Sequence, residues 1–138
     1  MPELGPRGSV RGAAGNSRPY RERGTRSILG RVQARRGGAA APTPENVGSK
    51  RLLAAAAASE VHDTCLWMKL AEATGARGNS TALVGAPDTV ADALAKYYAL
   101  GATSLLIRGY EPLEDAQHYG TELIPLVRQR VAEIDARK

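Results

Sequence analysis

Residues 81–110 read TALVGAPDTVADALAKYYALGATSLLIRGY, and this stretch decides the class of fold. The apolar run at 81–85 predicts a short buried strand or an extended segment. A helix is predicted to begin at Pro87 and to end at Gly101. The β-favouring run at 103–107 then predicts a parallel strand that is covered on both faces. Because strands alternate with helices, the sequence predicts α/β construction with right-handed crossovers.

The flanking segments have helical patterns. One helix is predicted to begin at Thr43 and Pro44 and to continue through an alanine-rich stretch that ends near Glu60. A second helix is predicted over 62–74, with no strand between the two, and the C-terminal sequence is helical with a bend at Pro125. Two strand–helix units cannot close a sheet, and a (β/α)8 barrel takes ~250 residues. The chain is therefore expected to be either a small open α/β domain or the closing part of such a barrel.

Residues 1–42 differ in charge from residues 43–138. The first segment holds nine arginines and two acidic residues, a net charge of +7, whereas the second has a net charge of −2. Because the first segment has little to bury, it is predicted to be a mostly disordered basic arm in which only 27–36 forms a helix. Such an arm suits phosphate binding through counterion release, with a solvated tail as the alternative. No aromatic side chains interleave with its arginines for base stacking, so nucleic acid is not the expected partner.

The composition argues against several classes of protein. A single cysteine, Cys65, excludes an intramolecular disulfide framework and an all-cysteine zinc site. The two histidines, His62 and His118, lack metal-ligand spacing, so no metal is expected. No apolar stretch approaches the ~20 residues that span a bilayer, and no secretory signal follows the first residues, so a cytoplasmic chain with no membrane partner is predicted. Neither GxGxxG nor a Walker motif is present.

Four pieces of the sequence together resemble a known family. In chain order they are TPENVGSKRLLAAAA from Thr43, ATGARGNSTALVGAPDTVADAL from Ala73, YYALGATSLLIRGYEPLEDA from Tyr97 and YGTELIPLVR from Tyr119. The set resembles the C-terminal part of the flavin-dependent, luciferase-like monooxygenases, in particular the alkanesulfonate monooxygenase branch. The resemblance implies that 43–138 forms the C-terminal βα units of an incomplete TIM barrel.

The resemblance also implies an activity. Members bind reduced FMN delivered by a separate NAD(P)H-dependent flavin reductase, react it with O2, and oxygenate alkanesulfonates or similar small organosulfur compounds to an aldehyde and sulfite. A full barrel would be a homo-oligomer. Because the barrel strands that hold much of the flavin pocket are absent from these 138 residues, the chain alone is expected to have negligible activity. The alternative is a non-catalytic chain whose basic arm binds nucleic acid or whose open sheet edge binds a partner chain.

One group of site residues implied by the resemblance lies in a polar loop. Arg77 corresponds to the loop that closes over flavin and substrate, where its guanidinium would pair with a sulfonate or with the flavin phosphate. Gly78, Asn79 and Ser80 would contact the cofactor with it, and the alternative for the polar residues of this loop is that they are only solvated. The loop is one residue shorter than in the best-studied branch. The alternative for Arg77 is an exposed loop arginine.

A second group follows the predicted strand 103–107. Tyr110 matches a pocket tyrosine whose hydroxyl would donate a hydrogen bond to substrate or to the oxygenated flavin, and it is paired with Arg77 as the catalytic candidates. Arg108 would bind the substrate anion, with a surface ion pair to Glu111 or Glu114 as the alternative, and Tyr110 would otherwise pack at the strand end. Pro112 stands where the relatives carry a histidine, which leaves the substrate open.

Overall fold

The computed structural model of the chain describes residues 18–37, 39, 41, 43–77, 81–109 and 111–138. Its elements, in order, are α1 (Arg18–Arg36), α2 (Val47–Ala58), β1 (Val61–His62), β2 (Leu66–Trp67), α3 (Lys69–Thr74), β3 (Ala82–Leu83), α4 (Pro87–Ala99), α5 (Pro112–His118), a π-helical turn (Tyr119–Leu123) and α6 (Ile124–Asp135). None of the helices in this part of the chain combines the length and the apolar content needed to cross a bilayer.

The three short strands form one antiparallel sheet with β2 in the centre. Val61 lies opposite Trp67 across β1 and β2, and Trp67 lies opposite Ala82 across β2 and β3. The prediction of a helix over 62–74 is wrong in its first half. Asp63 has a φ of 51°, a left-handed conformation that a right-handed helix does not contain, so the chain turns back and helix α3 begins only at Lys69.

The predicted strand at 81–85 is confirmed in its centre, where β3 forms, but β3 pairs antiparallel to β2 rather than parallel to a later strand. The predicted strand at 103–107 does not form. Leu106 is 99% exposed, so the expectation that this run is covered on both faces is also wrong. A strand exists only through its ladder hydrogen bonds, and 103–109 make no backbone hydrogen bond to another described residue. The incomplete TIM barrel remains a prediction.

Helix α1 packs on the sheet. Its apolar face, Ile28, Leu29 and Val32, contacts the buried side chains of Trp67 and Leu70. The helix predicted over 27–36 is confirmed, but it begins nine residues earlier, at Arg18, inside the segment expected to be disordered. Once packing holds one turn of a helix in place, adding further turns costs little free energy, and arginine is a good helix former. Residues 1–17 lie outside the described part of the chain.

Helix α2 begins later than its sequence predicted. The cap is Asn46, whose Oδ1 accepts the backbone N–H of Ser49 at 2.7 Å, rather than Thr43 followed by Pro44. An asparagine cap satisfies one of the N–H groups that a helix start leaves unpaired. Ala56 of this helix then packs against Met68 and Ala71, because alanines allow the backbones of α2 and α3 to approach closely.

The C-terminal helices form a continuous arm that packs on α4. The helix predicted after Pro87 is confirmed as α4, and its Ala91 and Leu94 contact Leu123 of the π-helical turn. The helix is predicted to be broken or bent at Pro125, and the structure has this π-helical turn just before it, in which the N–H of Ile124 donates to a carbonyl five residues back. Proline has no N–H to continue an α-helical ladder, so a local change of hydrogen bonding relieves the mismatch.

We predict that Leu94→Ala destabilises the chain by about 2–4 kcal/mol, because it opens a cavity between α4 and the C-terminal arm. Leu94 is 7% exposed, whereas Leu100, at the end of the same helix, is 85% exposed. Leu100→Ala is therefore the matched control, with an expected change within ~0.5 kcal/mol. Urea unfolding followed by circular dichroism measures both, and equal losses of stability in the two variants would contradict this packing.

Candidate functional site

The larger of two adjoining cavities, here called the apolar cavity, has a volume of about 430 Å³. It lies between β3, the first turns of α4, residues 106–109 and the π-helical turn. Its walls are mainly apolar and include Ile28, Leu83, Val90, Leu94 and Leu123. Five polar side chains also line it: Thr81, Arg108, His118, Tyr119 and Glu122. Concave apolar walls with a few polar groups are typical of small-molecule sites of this size.

The second cavity, here called the arginine cavity, has a volume of about 340 Å³. It shares Ile107, Arg108, Gly109 and Tyr119 with the apolar cavity, and it adds Arg35, Pro112, Asp115 and Ala116. The segment 107–109 therefore forms a common wall of both cavities. The helix α1 contributes to both, through Ile28 in one and Arg35 in the other.

The common wall is held in place by the start of α5. Gly109 has no side chain, and a Cβ there would collide with the carboxylate of Asp115. That carboxylate accepts the backbone N–H of Glu111 through Oδ2 at 2.8 Å, while the Glu111 side chain lies 3.1 Å from Arg31 Nη1 on α1. These contacts hold Gly109 and Glu111 against two helices, and they require a glycine where Asp115 approaches.

Two side chains of the common wall, Arg108 and Tyr119, carry hydrogen-bond donors, beside the carboxylates of Asp115 and Glu122 in the adjoining walls. Arg108 is exposed and forms no ion pair with any described residue, so the alternative in which it pairs with Glu111 or Glu114 is not observed. Burial, and then the nearby Asp115, raise the pKa of Tyr119 above the usual value for tyrosine. Its hydroxyl therefore stays protonated at neutral pH and can donate a hydrogen bond to a ligand.

The predicted site residues are only partly brought together. Arg108 lines both cavities. Arg77 is exposed, directly after the end of α3, and does not line either cavity. Tyr110 and the loop residues 78–80 (Gly78, Asn79 and Ser80) lie outside the described residues, so their roles remain predictions.

The residues that sequence reasoning missed at the cavities include Tyr119 and Arg35. Tyr119 carries no local signal, because its position depends on the π-helical turn. Arg35 does carry one: it follows Ile28 and Val32 by seven and three residues, so all three share one face of a helix. From that spacing, Arg35 could have been predicted to lie beside the rest of the chain rather than in a solvated tail.

Other reactive groups do not form a site. The Cys65 side chain is buried, and its Sγ lies 3.9 Å from the carbonyl oxygen of Thr89. Desolvation by burial raises the pKa of the Cys65 thiol, which opposes the thiolate needed for a nucleophile. His62 Nε2 lies 2.8 Å from the carbonyl oxygen of Ala55. Within the residues that the structure covers, no three potential metal ligands cluster.

The chain shows partial sequence similarity to curated proteins. The chain is 35% identical over 63 residues to a sulfoquinovose monooxygenase of Agrobacterium fabrum strain C58. The aligned region is 46% of this chain and 16% of that protein, so the chain spans about one-sixth of the relative. No family model matches the sequence. No solved structure matches it either.

We predict that Cys65 resists alkylation in the folded chain. Because it is 3% exposed and its thiol pKa is raised, iodoacetamide at pH 8 should label it at least about tenfold more slowly than in urea-unfolded chain. The chain has one cysteine, so mass spectrometry reads the extent of labelling directly. Labelling at the unfolded rate in native buffer would show that this thiol is accessible.

Proposed function

We propose that this chain is part of a flavin-dependent monooxygenase that oxidises an organic sulfonate. The observation that carries the proposal is its 35% identity over 63 residues to a sulfoquinovose monooxygenase. The ordered resemblance from Thr43 onward to luciferase-like monooxygenases agrees with it. In this proposal 43–138 supply the closing βα units of a TIM barrel, and an NAD(P)H-dependent reductase delivers the flavin.

The cavities have the chemistry that a sulfonate requires. Arg108 places a guanidinium at the common wall, and a guanidinium pairs with a sulfonate through parallel hydrogen bonds. The adjoining walls, including Leu83 and Val90, would exclude water from the carbon end of the substrate. The substrate class proposed is therefore an alkanesulfonate, a sugar sulfonate or a similar small organosulfur compound, with an aldehyde and sulfite as products where the carbon–sulfur bond is broken.

Reduced FMN is the cofactor proposed, and the described residues fit one part of it. The Arg108 guanidinium could hold a phosphate, and the apolar cavity could cover one face of a planar ring. When bound, the flavin supplies the activation of O2. Tyr119 would donate a hydrogen bond at the common wall, and Arg108 would orient whichever anion is bound there.

A second candidate function is association through the segment 103–109. Leu106 is 99% exposed, and the backbone of this segment makes no hydrogen bond to another described residue. Unpaired backbone beside exposed leucine is a template for pairing with a second chain. Size-exclusion chromatography over a range of concentrations tests this function, and a stable monomer throughout would contradict it.

The monooxygenase proposal predicts that the 63 aligned residues of this chain can replace their counterpart in the relative without loss of activity. In the Agrobacterium relative, the aligned 63-residue segment is replaced by its counterpart from this chain. With reduced FMN, O2 and sulfoquinovose, the chimera should release sulfite roughly tenfold or more above its control. The control is the same relative with a Gly/Ser linker in place of the segment. We expect negligible turnover from the 138 residues alone.

Circular dichroism and gel filtration accompany the sulfite assay. A folded chimera that releases no more sulfite than the linker control would contradict the proposed activity. A chimera that does not fold would contradict the shared barrel, because interchangeable βα units must fit the same neighbours.

A further inference from the structure

We infer that the segment 103–109 pairs with the same segment of a second copy of this chain, as two antiparallel strands centred on Leu106. The inference rests on association through this segment, the second candidate function above, and it names the partner, the direction of pairing and the register. It does not depend on the proposed oxygenation.

The segment alternates in exposure as an extended strand does. Ile107 packs on the core that α4 and the π-helical turn form, and Leu105 is 37% exposed, whereas Leu106 between them is 99% exposed. Arg108, the next residue, is exposed again. A period of two places 105 and 107 toward the body of the chain and 106 and 108 away from it. Because the backbone of 103–109 makes no hydrogen bond to another described residue, its N–H and C=O groups can pair with a further strand.

The sequence of the segment is complementary to itself in one antiparallel register. With Leu106 opposite its own copy, Leu105 lies opposite Ile107 on the face toward the body. In the same register Ser104 lies opposite Arg108 on the outer face, so apolar side chains meet apolar ones and polar side chains meet polar ones. Centring the pair on Leu105 would instead put Leu106 opposite Ser104, which leaves the exposed leucine without an apolar neighbour. An unrelated strand would not require this self-complementarity, so the pattern favours a second copy.

The charge of Arg108 selects the antiparallel direction. In a parallel pair in register, each Arg108 would lie about 5 Å from its copy, and like charges directly opposite each other are destabilising. In the antiparallel pair the two Arg108 positions are about 14 Å apart, which exceeds the screening length of about 8 Å at physiological ionic strength. The antiparallel contact also has two-fold symmetry, so association through it closes at the dimer.

The first test is sedimentation equilibrium of the 138-residue chain over a range of concentrations, where a monomer–dimer equilibrium is expected. Leu106→Lys should weaken the dimer by about a hundredfold or more, because it removes two leucines from the contact and puts two ammonium groups opposite each other. Leu100→Lys is the matched control, since Leu100 is 85% exposed and lies outside the segment, and it should leave the dimer unchanged. Circular dichroism checks that both variants fold.

The second test measures the register by disulfide formation between copies. Cys65 is the one cysteine of the chain, so single cysteines are introduced into a Cys65→Ala background. Directly opposite residues of antiparallel strands have Cα atoms about 4.5–5.5 Å apart, within the span of a disulfide. Leu106→Cys should therefore cross-link on mild oxidation at least about tenfold faster than Leu105→Cys, whose opposite residue is Ile107. Leu100→Cys is the control for random collision, and non-reducing gels measure all three.

The possible outcomes separate this pairing from association in general. Faster cross-linking at 105 than at 106, in a dimer that Leu106→Lys dissociates, would overturn the register and leave association through 103–109 in place. Oligomers larger than a dimer would overturn the two-fold pairing. A monomer at every concentration, or a dimer that Leu106→Lys and Leu100→Lys weaken equally, would contradict both the pairing and the second candidate function.

Discussion

The packing of α1 against the sheet is the contact on which the site depends. Ile28, Leu29 and Val32 cover Trp67 and Leu70, the largest fully buried side chains in the described part of the chain. Burying a side chain of this kind stabilises a fold by about 1.5–3 kcal/mol, whereas an exposed ion pair contributes at most about 1 kcal/mol. The apolar face therefore sets the position of α1, and the ion pair of Arg31 with Glu111 only adjusts it. Helix α1 forms part of the wall of both cavities.

The opposite wall is determined by short-range backbone constraints. The absence of a side chain at Gly109 leaves room for Asp115, whose carboxylate accepts the backbone N–H of Glu111 at the start of α5. Pro125 interrupts the helical ladder, and the π-helical turn before it presents Tyr119 to the same space. The site therefore needs a few residues whose backbone requirements are strict and a larger set that is only required to be apolar.

The sequence predicted best those elements that carry their own end signals. Pro87 and Gly101 bracket α4, and the structure follows them within two residues. The apolar pattern of Leu66 and Leu70 is compatible with a helix, but the left-handed conformation of Asp63 depends on tertiary context and has no such signature. For the run at 103–107, β-propensity describes how side chains suit a pleated surface and cannot supply the partner strand. Arg108 was predicted as a ligand contact from a resemblance, and the structure places it at a cavity wall without showing what it binds.

The packing of α1 changes how the charge distribution of the sequence is interpreted. Residues 43–138 have a net charge of −2, which on its own would repel an anion, whereas 1–42 hold a net charge of +7. Composition alone predicts that the basic segment is a separate arm. The spacing of Ile28, Val32 and Arg35, however, puts them on one face of a helix, and the apolar members of that face pack on the rest of the chain. The arginine cavity is lined by one arginine from each segment, Arg35 and Arg108, together with Asp115. The basic helix thus forms one side of a cavity, because apolar contacts hold it there.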